Sequence, residues 1–355
     1  MMDKSISESI EKLLGNKDLN EQSCLIEIQK VITEHISAKV KVDDSKLLKD
    51  IFKNNLEIIE NNAQINDQLS SGYANLDRLI SGFGLGELIV FGGRPAMGKT
   101  TLFLNLALRI SINNPVLFFS FDLSESALNS RAISNLTSIT SDKIRKNQLN
   151  KKDLLKLKQA EEKINNYQLY INESCSNSIN DFRIHCEKMI NEKGIKVVFL
   201  DYIQLMSVSK FGNRRELEIS YISRELKRIA KELKVCVIAS SQLSRAVELR
   251  GGDRRPILSD LRESGAIEQD ADKVIFIYRP EYYGFCQDED GNSNENRMQL
   301  IVDKNRTGAL GIVDLECNLA TSSISDFVEV NYPSNDIEGF KFTDDRLDEL
   351  NDEPF

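Results

Sequence analysis

The sequence predicts an α/β fold, a mainly parallel central sheet flanked by helices with a short α-helical segment ahead of it. Three observations lead there. From about Gln68 onward, short apolar runs alternate with longer amphipathic stretches, the pattern of strands joined by crossover helices. One of those runs breaks at a glycine-bearing loop that opens directly into a long apolar-periodic segment. The chain of 355 residues, 41% apolar and 28% charged, can build one core of ordinary size plus an accessory segment.

Residues 1–44 are polar with scattered aliphatics and read as one or two short helices. The stretch SKLLKDIFKNNLEIIE follows, with Leu48, Phe52, Leu56 and Ile59 at helical spacing and Ile51 alongside. It predicts an amphipathic helix that, with a polar linker, fills residues 45–67. Residues 68–331 form the main domain. Its expected strands are ELIVFG, PVLFFSF, YQLYI, KVVFLD, VCVIASS, KVIFIY and MQLIVDK. Among its helices, NRRELEISYISRELKRIAKELK sets Ile222, Leu226, Ile229 and Leu233 on one face. Residues 332–355 end in the acidic run DDRLDELNDEPF and read as a solvated tail.

Several classes are excluded by composition. The N-terminus carries no apolar run, and no segment approaches the ~20 apolar residues of a membrane helix. Neither a signal peptide nor a membrane partner is expected, and the chain reads as cytoplasmic. Its 6 cysteines include no C-x-x-C pair, and Cys236 lies inside a strand-like run, as a buried thiol in a reducing compartment would. His185 and Cys186 are neighbours, but adjacent helical residues point apart, which favours packing over metal binding. A net charge of −9 gives nucleic acid no global attraction, so any such partner needs local positive charge.

The glycine loop carries the most specific chemistry. Gly93, Arg94, Pro95, Ala96, Met97, Gly98, Lys99 and Thr100 fit G-x-x-x-x-G-K-[ST], and Thr101 follows. Glycines let backbone N–H groups wrap a polyphosphate, and a helix N-terminus adds unpaired donors and partial positive charge. Lys99 is expected to reach the β/γ-phosphates of a nucleoside triphosphate, with the Thr100 hydroxyl on Mg²⁺. Asp201 ends the run KVVFLD, where an Asp is common turn chemistry, but paired with the phosphate loop upstream such a carboxylate can order a Mg²⁺-bound water. Gln242 stands at the end of VCVIASSQ, where an amide can read a γ-phosphate or be a plain turn residue. Asp122 ends LFFSFD, and two readings stay open there. It can orient or deprotonate an attacking water, or Asp122 or Ser124 can cap the helix that starts near Glu125.

Two basic features follow. Lys304 and Arg306, two apart in DKNRTG, point the same way on an extended backbone and either neutralise phosphate charge in a neighbouring subunit or form a plain solvated basic hairpin. Between Ser244 and Arg262 lie Arg245, Arg250, Arg254, Arg255 and Arg262, with Gly251-Gly252 loosening the loop. Such a loop suits contacts to a phosphate backbone, or is simply solvated. With no aromatics interleaved, base stacking is not indicated.

With these residues in view, the chain resembles the motor domain of the replicative hexameric DNA helicases, the DnaB-type family, whose core is a RecA-like P-loop NTPase. RPAMGKTT, DYIQL, ISRELKRIAKEL, SQLSR, SDLRESGAIEQDAD and KNRTG occur in the family's order and spacing, from SGYANLDRL to about Val330. Recombinases of the RecA type share the fold and loop but not DLRESGAIEQDAD. The resemblance implies a six-subunit ring that encircles single-stranded DNA at a replication fork. The ring translocates 5′→3′ and separates duplex while hydrolysing ATP with Mg²⁺. It implies that Gln242 senses the γ-phosphate, that Asp201 acts on Mg²⁺ and that Lys304 and Arg306 complete the site in trans. Arg262, Glu263 and Gly265 fall on the loop that touches DNA in the pore, with Arg245 nearby. The helix of residues 45–60 matches the linker helix that docks on the next subunit. A helicase loader is a further partner of such rings.

Two departures bear on these expectations. The family usually has Glu where Asp122 stands, and losing one methylene draws the carboxylate back by roughly 1.5 Å. Misplacement near 1 Å can lower a rate about 10²-fold. The region before the linker helix is also far shorter than the family's N-terminal collar, which argues against a primase-docking role. A slow or regulatory DNA-binding ATPase, and a recombinase or clock-type ATPase that does not unwind, are the alternatives.

Overall fold

A computed structural model describes residues 11, 13–14, 28, 31, 47–60, 68–173, 176–208, 211–212, 214–261 and 265–327. The chain divides into two units, Met1–Asn66 and Asp67–Phe355. In the first, helix α1 (Leu48–Glu60) leaves Leu48, Phe52 and Leu56 of the predicted stripe exposed. The Ile59 side chain lies outside the described residues. Of the helices expected in residues 1–44, only the helical backbone at Glu11, Leu13, Leu14, Ile28 and Val31 falls within them. The acidic tail falls beyond them.

The second unit starts with β1 (Gln68–Leu69), α2 (Ala74–Ile80) and β2 (Phe83–Gly84), β1 and β2 forming a two-stranded antiparallel ribbon. Then come β3 (Leu88–Gly93), α3 (Lys99–Ser111), β4 (Val116–Ser120), α4 (Glu125–Thr137), α5 (Ser141–Arg145), α6 (Lys151–Ile164) and β5 (Leu169–Asn172). They are followed by α7 (Ile179–Lys193), β6 (Val197–Asp201), α8 (Arg215–Leu233), β7 (Cys236–Gln242), α9 (Ala246–Leu249) and α10 (Gly265–Asp270). The unit ends with β8 (Lys273–Tyr278), β9 (Arg297–Asn305), β10 (Gly311–Asn318) and β11 (Ser323–Asp326).

Among the described residues the main sheet has nine strands in the order β11-β10-β9-β8-β3-β7-β6-β4-β5. From β8 to β5 all neighbours are parallel, while β9, β10 and β11 are antiparallel additions. Every residue of β3, β4, β6 and β8 is buried, because helices cover both faces of a parallel sheet and leave no solvated side. One face packs on α3, where Phe103 meets Phe91 and Phe199 edge-on at 5.6 and 5.3 Å between ring centres. The other packs on α7 and α8, into which α8 turns Ile219, Ile222, Leu226 and Ile229. Full burial of each such side chain stabilises by about 1.5–3 kcal/mol, enough to fix which strand tips sit side by side.

Every expected strand is present; the short ribbon β1–β2 is additional, as are β10 and β11 of the main sheet. Their residues alternate between buried and exposed, with Asp314 and Glu316 on the wetter side of β10, so they lack the continuous apolar run of the parallel strands. Cys236 and Cys317 are buried thiols. His185 packs against the Phe119 ring and meets the Asn172 amide at 3.1 Å, a structural arrangement. Among the described residues, no helix is long and apolar enough to cross a membrane.

Candidate functional site

The register of the parallel strands assembles the site. Gly93 at the tip of β3 lies beside Gln242 at the tip of β7. Ser120 at the tip of β4 lies beside Asp201 at the tip of β6. These are C-terminal ends, where open α/β sheets take their ligands. The chain leaves β3 and turns into α3 through Gly98, whose φ of 88° is left-handed. An L-residue there pays roughly 1–2 kcal/mol, and its Cβ would come within 3.1 Å of the Met298 terminal methyl. No side chain caps the start of α3, so its first N–H groups remain available to an anion.

Lys99 folds back over the loop, its Nζ donating to Gly93 O at 2.9 Å and Arg94 O at 3.1 Å. Burial lowers the Lys99 ammonium to about 8, with the nearby Asp201 carboxylate partly opposing the shift. The buried Asp201 carboxylate accepts from Thr100 Oγ1 at 2.6 Å and from Ser240 Oγ at 2.5 Å. Around these groups opens a cavity of about 630 Å³, also lined by Pro95, Ala96, Gly98, Thr101, Asp122 and Gln242. Gly93, Arg94 and Met97, expected as ligand contacts, do not line it. Met97 is buried in the core. The Arg94 guanidinium turns away to donate to Leu243 O at 2.7 Å and to pair with Glu248 at 2.8 Å.

Asp122 lines the cavity, and it is Ser124 that caps α4, accepting from Ala127 N at 3.3 Å. That leaves the Asp122 carboxylate to face the cavity. The turn carrying it is tightened by Ser120 Oγ, which donates to Leu123 O at 2.6 Å. Arg131 from α4, Arg145 from α5 and Tyr202 also line the cavity, none of them foreseen in the sequence. Burial lowers the Arg131 guanidinium, opposed by Asp201 and Asp122. Nothing in its spacing sets Arg131 apart from any arginine on an amphipathic helix; only the angle of α4 over the strand tips brings it here.

Lys304 and Arg306 sit at the other end of the sheet. Strand β9 runs antiparallel to β8, pairing Lys304 with Val274 and Asn305 with Lys273 at the start of β8. Both cations converge on the C-terminal end of α10. Lys304 Nζ donates to Glu268 O, and to Gln269 O at 3.3 Å. Arg306 donates to Gln269 O at 2.6 Å and reaches Asp272 Oδ1 at 3.3 Å. Burial, reinforced by Arg306, lowers the Lys304 ammonium. They point together, as the spacing predicts, but away from the cavity of their own chain.

The cavity fits a triphosphate with a divalent cation. Among the described residues no three His, Cys, Asp or Glu side chains gather into a metal cage. Mg²⁺ on a phosphate needs only one or two protein oxygens beside water and phosphate, and Thr100 Oγ1 and Asp201 offer them.

Residues 68–326 match the family model described as the DnaB-like helicase C terminal domain. The chain belongs to the DnaB-like helicase family. Replicative DNA helicase DnaB of Geobacillus stearothermophilus is 38% identical over 276 residues, covering 76% of this chain and 60% of that protein. Replicative DNA helicase DnaC of Bacillus subtilis is 35% identical over 300 residues, 83% of this chain and 64% of that one. Among solved structures, an isolated ATPase domain superposes with a TM-score of 0.72 at 33% identity, covering 80% of this chain and all of its own. A DnaB-like replicative helicase studied with its interactions with primase gives a TM-score of 0.70 at 32% identity, covering 91% of this chain and 75% of that one. The chain thus spans about three-fifths of the length of the curated relatives it matches.

Within this DnaB-like chain the residues expected to touch DNA are only partly in view. Arg245 is exposed just beyond β7, and Gly265 is exposed at the start of α10. Arg262 and Glu263 lie outside the described residues. Three arginines of the basic loop are engaged internally. Arg250 pairs with Asp260 at 2.5 Å, while Arg254 and Arg255 lie over the Tyr283 and Tyr278 rings at 5.5 and 5.7 Å. The aromatics missing from the local sequence thus arrive from β8 and the turn after it, where they hold arginines.

Proposed function

We propose that this chain is the motor of an ATP-dependent DNA helicase, working as a ring of six copies that moves 5′→3′ on single-stranded DNA and separates duplex at a fork. ATP binds on the loop Gly93–Thr101, with Lys99 on the β/γ-phosphates. Thr100 and Asp201 would hold Mg²⁺, which neutralises phosphate charge. Asp122 orients the attacking water, and Gln242 reads the γ-phosphate. Lys304 and Arg306 serve the adjacent copy, and Arg245, Arg262, Glu263 and Gly265 meet the DNA backbone. A helicase loader is a fitting partner, and the buried thiols suit the cytoplasm. The observation that carries this reading is the pairing of a cavity lined by Lys99, Thr100 and Asp201 at one end of the sheet with two converging cations at the other. The test is unwinding of a forked duplex bearing a 5′ tail. ATP is expected to support strand separation and a non-hydrolysable analogue is not; an assembled ring that separates nothing with ATP would contradict the reading.

Lys99 gives the site a pH signature. It is charged below about pH 8 and neutral above, and a bound triphosphate favours the charged form. ATP affinity is therefore expected to hold up to pH 8 and to weaken above it by up to about tenfold per pH unit. Binding in that window takes up a proton. Dissociation constants measured from pH 7 to 9.5 check this, and a flat profile across pH 8–9 would contradict it.

Asp122 favours a second reading, a slow or regulatory DNA-binding ATPase, because it stands one methylene short of the usual Glu. Asp122→Glu separates the two. A motor tuned to this aspartate loses about 10²-fold in DNA-stimulated turnover with the longer side chain; a large gain would favour the slow regulator. Hydrolysis indifferent to DNA would point to a clock-type ATPase instead.

A further inference from the structure

The end of β7, which carries Gln242, is gripped by a side chain that none of these roles uses. Gln204 lies in the single turn Ile203–Leu205 that follows Asp201. Its carboxamide meets β7 through three hydrogen bonds. Oε1 accepts from Gln242 N at 3.1 Å, and Nε2 donates to Ser241 Oγ at 2.9 Å and to Gln242 O at 3.4 Å. A primary amide is the side-chain group that offers an acceptor and a donor in one plane, so it can hold both the N–H and the C=O of one residue.

Gln204 is itself held. Arg215 donates to Gln204 O at 2.7 Å and to Met206 O at 3.1 Å, and its partner Glu218 accepts from Val208 N at 2.6 Å. Beyond Gln242 the chain is fixed again, with Leu243 O on the Arg94 guanidinium and Ser244 N on Asp260 O at 3.0 Å. The Gln242 side chain, by contrast, is exposed at the cavity and has no hydrogen-bond partner among the described residues. A free amide is thus mounted on a backbone clamped from both sides. The phosphate loop clamps it through Arg94, and the Asp201 turn clamps it through Gln204.

We infer that Gln204 is a positioning residue for Gln242, fixing the backbone from which that amide faces the phosphate cavity and tying the Asp201 turn to the segment that runs on to Arg245. This rests on the proposed role of Gln242. Any shift of the Asp201 turn during a nucleotide cycle moves Gln204, and with it the start of the basic loop.

The test is a double-mutant cycle on full-length protein, with DNA-stimulated ATPase and nucleotide affinity both read. Gln204→Met keeps length and volume and removes all three bonds. Expected are a kcat about 10- to 100-fold lower, an unchanged dissociation constant for a fluorescent ATP analogue, and no additional loss when Gln204→Met is placed on Gln242→Ala. Effects of residues acting as one unit do not multiply, whereas those of independent sites do. Wild-type turnover in Gln204→Met, or losses that multiply in the double mutant, would overturn the inference. Near-isosteric Gln204→Glu, which keeps the acceptor and loses the donor, runs the same cycle if the methionine variant unfolds. Absence of DNA-stimulated ATPase in the wild type would instead strike at the proposed function.

Discussion

Lys99→Ala is expected to lower ATP turnover by about 10²–10³-fold, the effect of removing one preorganised donor from the charge that develops in phosphoryl transfer. Among the described residues, Lys99 is the ammonium folded over the phosphate loop, held by Gly93 O and Arg94 O. Those carbonyls orient it without neutralising it, so it meets an arriving anion already in place. Triphosphate affinity should fall as well, because the ground state shares the contact. The fold should survive, since the core beneath the loop is formed by Phe91, Phe103 and Phe199 rather than by Lys99. Phosphate release against ATP concentration, with a thermal melt as control, checks it. A well-folded variant with near wild-type turnover would contradict the assignment of the cavity.

Arg306→Ala is expected to lower turnover by about 10³-fold or more, the range of an arginine supplied to a phosphoryl transition state, while leaving ATP binding intact. The separation of the two effects follows from the sheet. The cavity lies at the C-terminal tips of β3, β6 and β7, whereas Arg306 follows β9 at the N-terminal end of β8. The six residues of β3 alone span roughly 20 Å, so Arg306 cannot serve its own cavity and removing it leaves that cavity whole. Its loss takes the Arg306 contact from Asp272 Oδ1 but leaves the carboxylate anchored through Oδ2, which accepts from Leu88 N at 2.8 Å and pairs with Lys227 at 2.6 Å. Nucleotide affinity and turnover measured on one preparation check this. A variant that stops binding ATP, or that turns over normally, would contradict the trans role.

What was legible in the sequence is what local rules encode. The loop from Gly93 to Thr101 is read by spacing alone because glycine and helix-start geometry are demanded within a few residues. Asp201 and Gln242 stand out because each ends an apolar run, and in a parallel sheet run ends become neighbours. Tertiary direction was not legible. Arg94 sits inside the motif, yet its guanidinium leaves for Leu243 O and Glu248 on the chain beyond β7. Ser124, not Asp122, takes the cap, a choice between two good capping residues that only the φ/ψ of the turn decides. Arg131 and Arg145 reach the cavity through the placement of α4 and α5, and no local pattern records that placement. Strands β10 and β11 escaped because one-sided burial interleaves charge with apolar residues.

The most direct measurement mixes Lys99→Ala and Arg306→Ala proteins, each inactive alone, and reads ATPase. A site shared head-to-tail between copies predicts that activity returns, to roughly a quarter of wild type at equal mixing, because some interfaces then join an intact Lys99 to an intact Arg306. Mixed assemblies no more active than either variant alone would contradict a nucleotide site built by two copies.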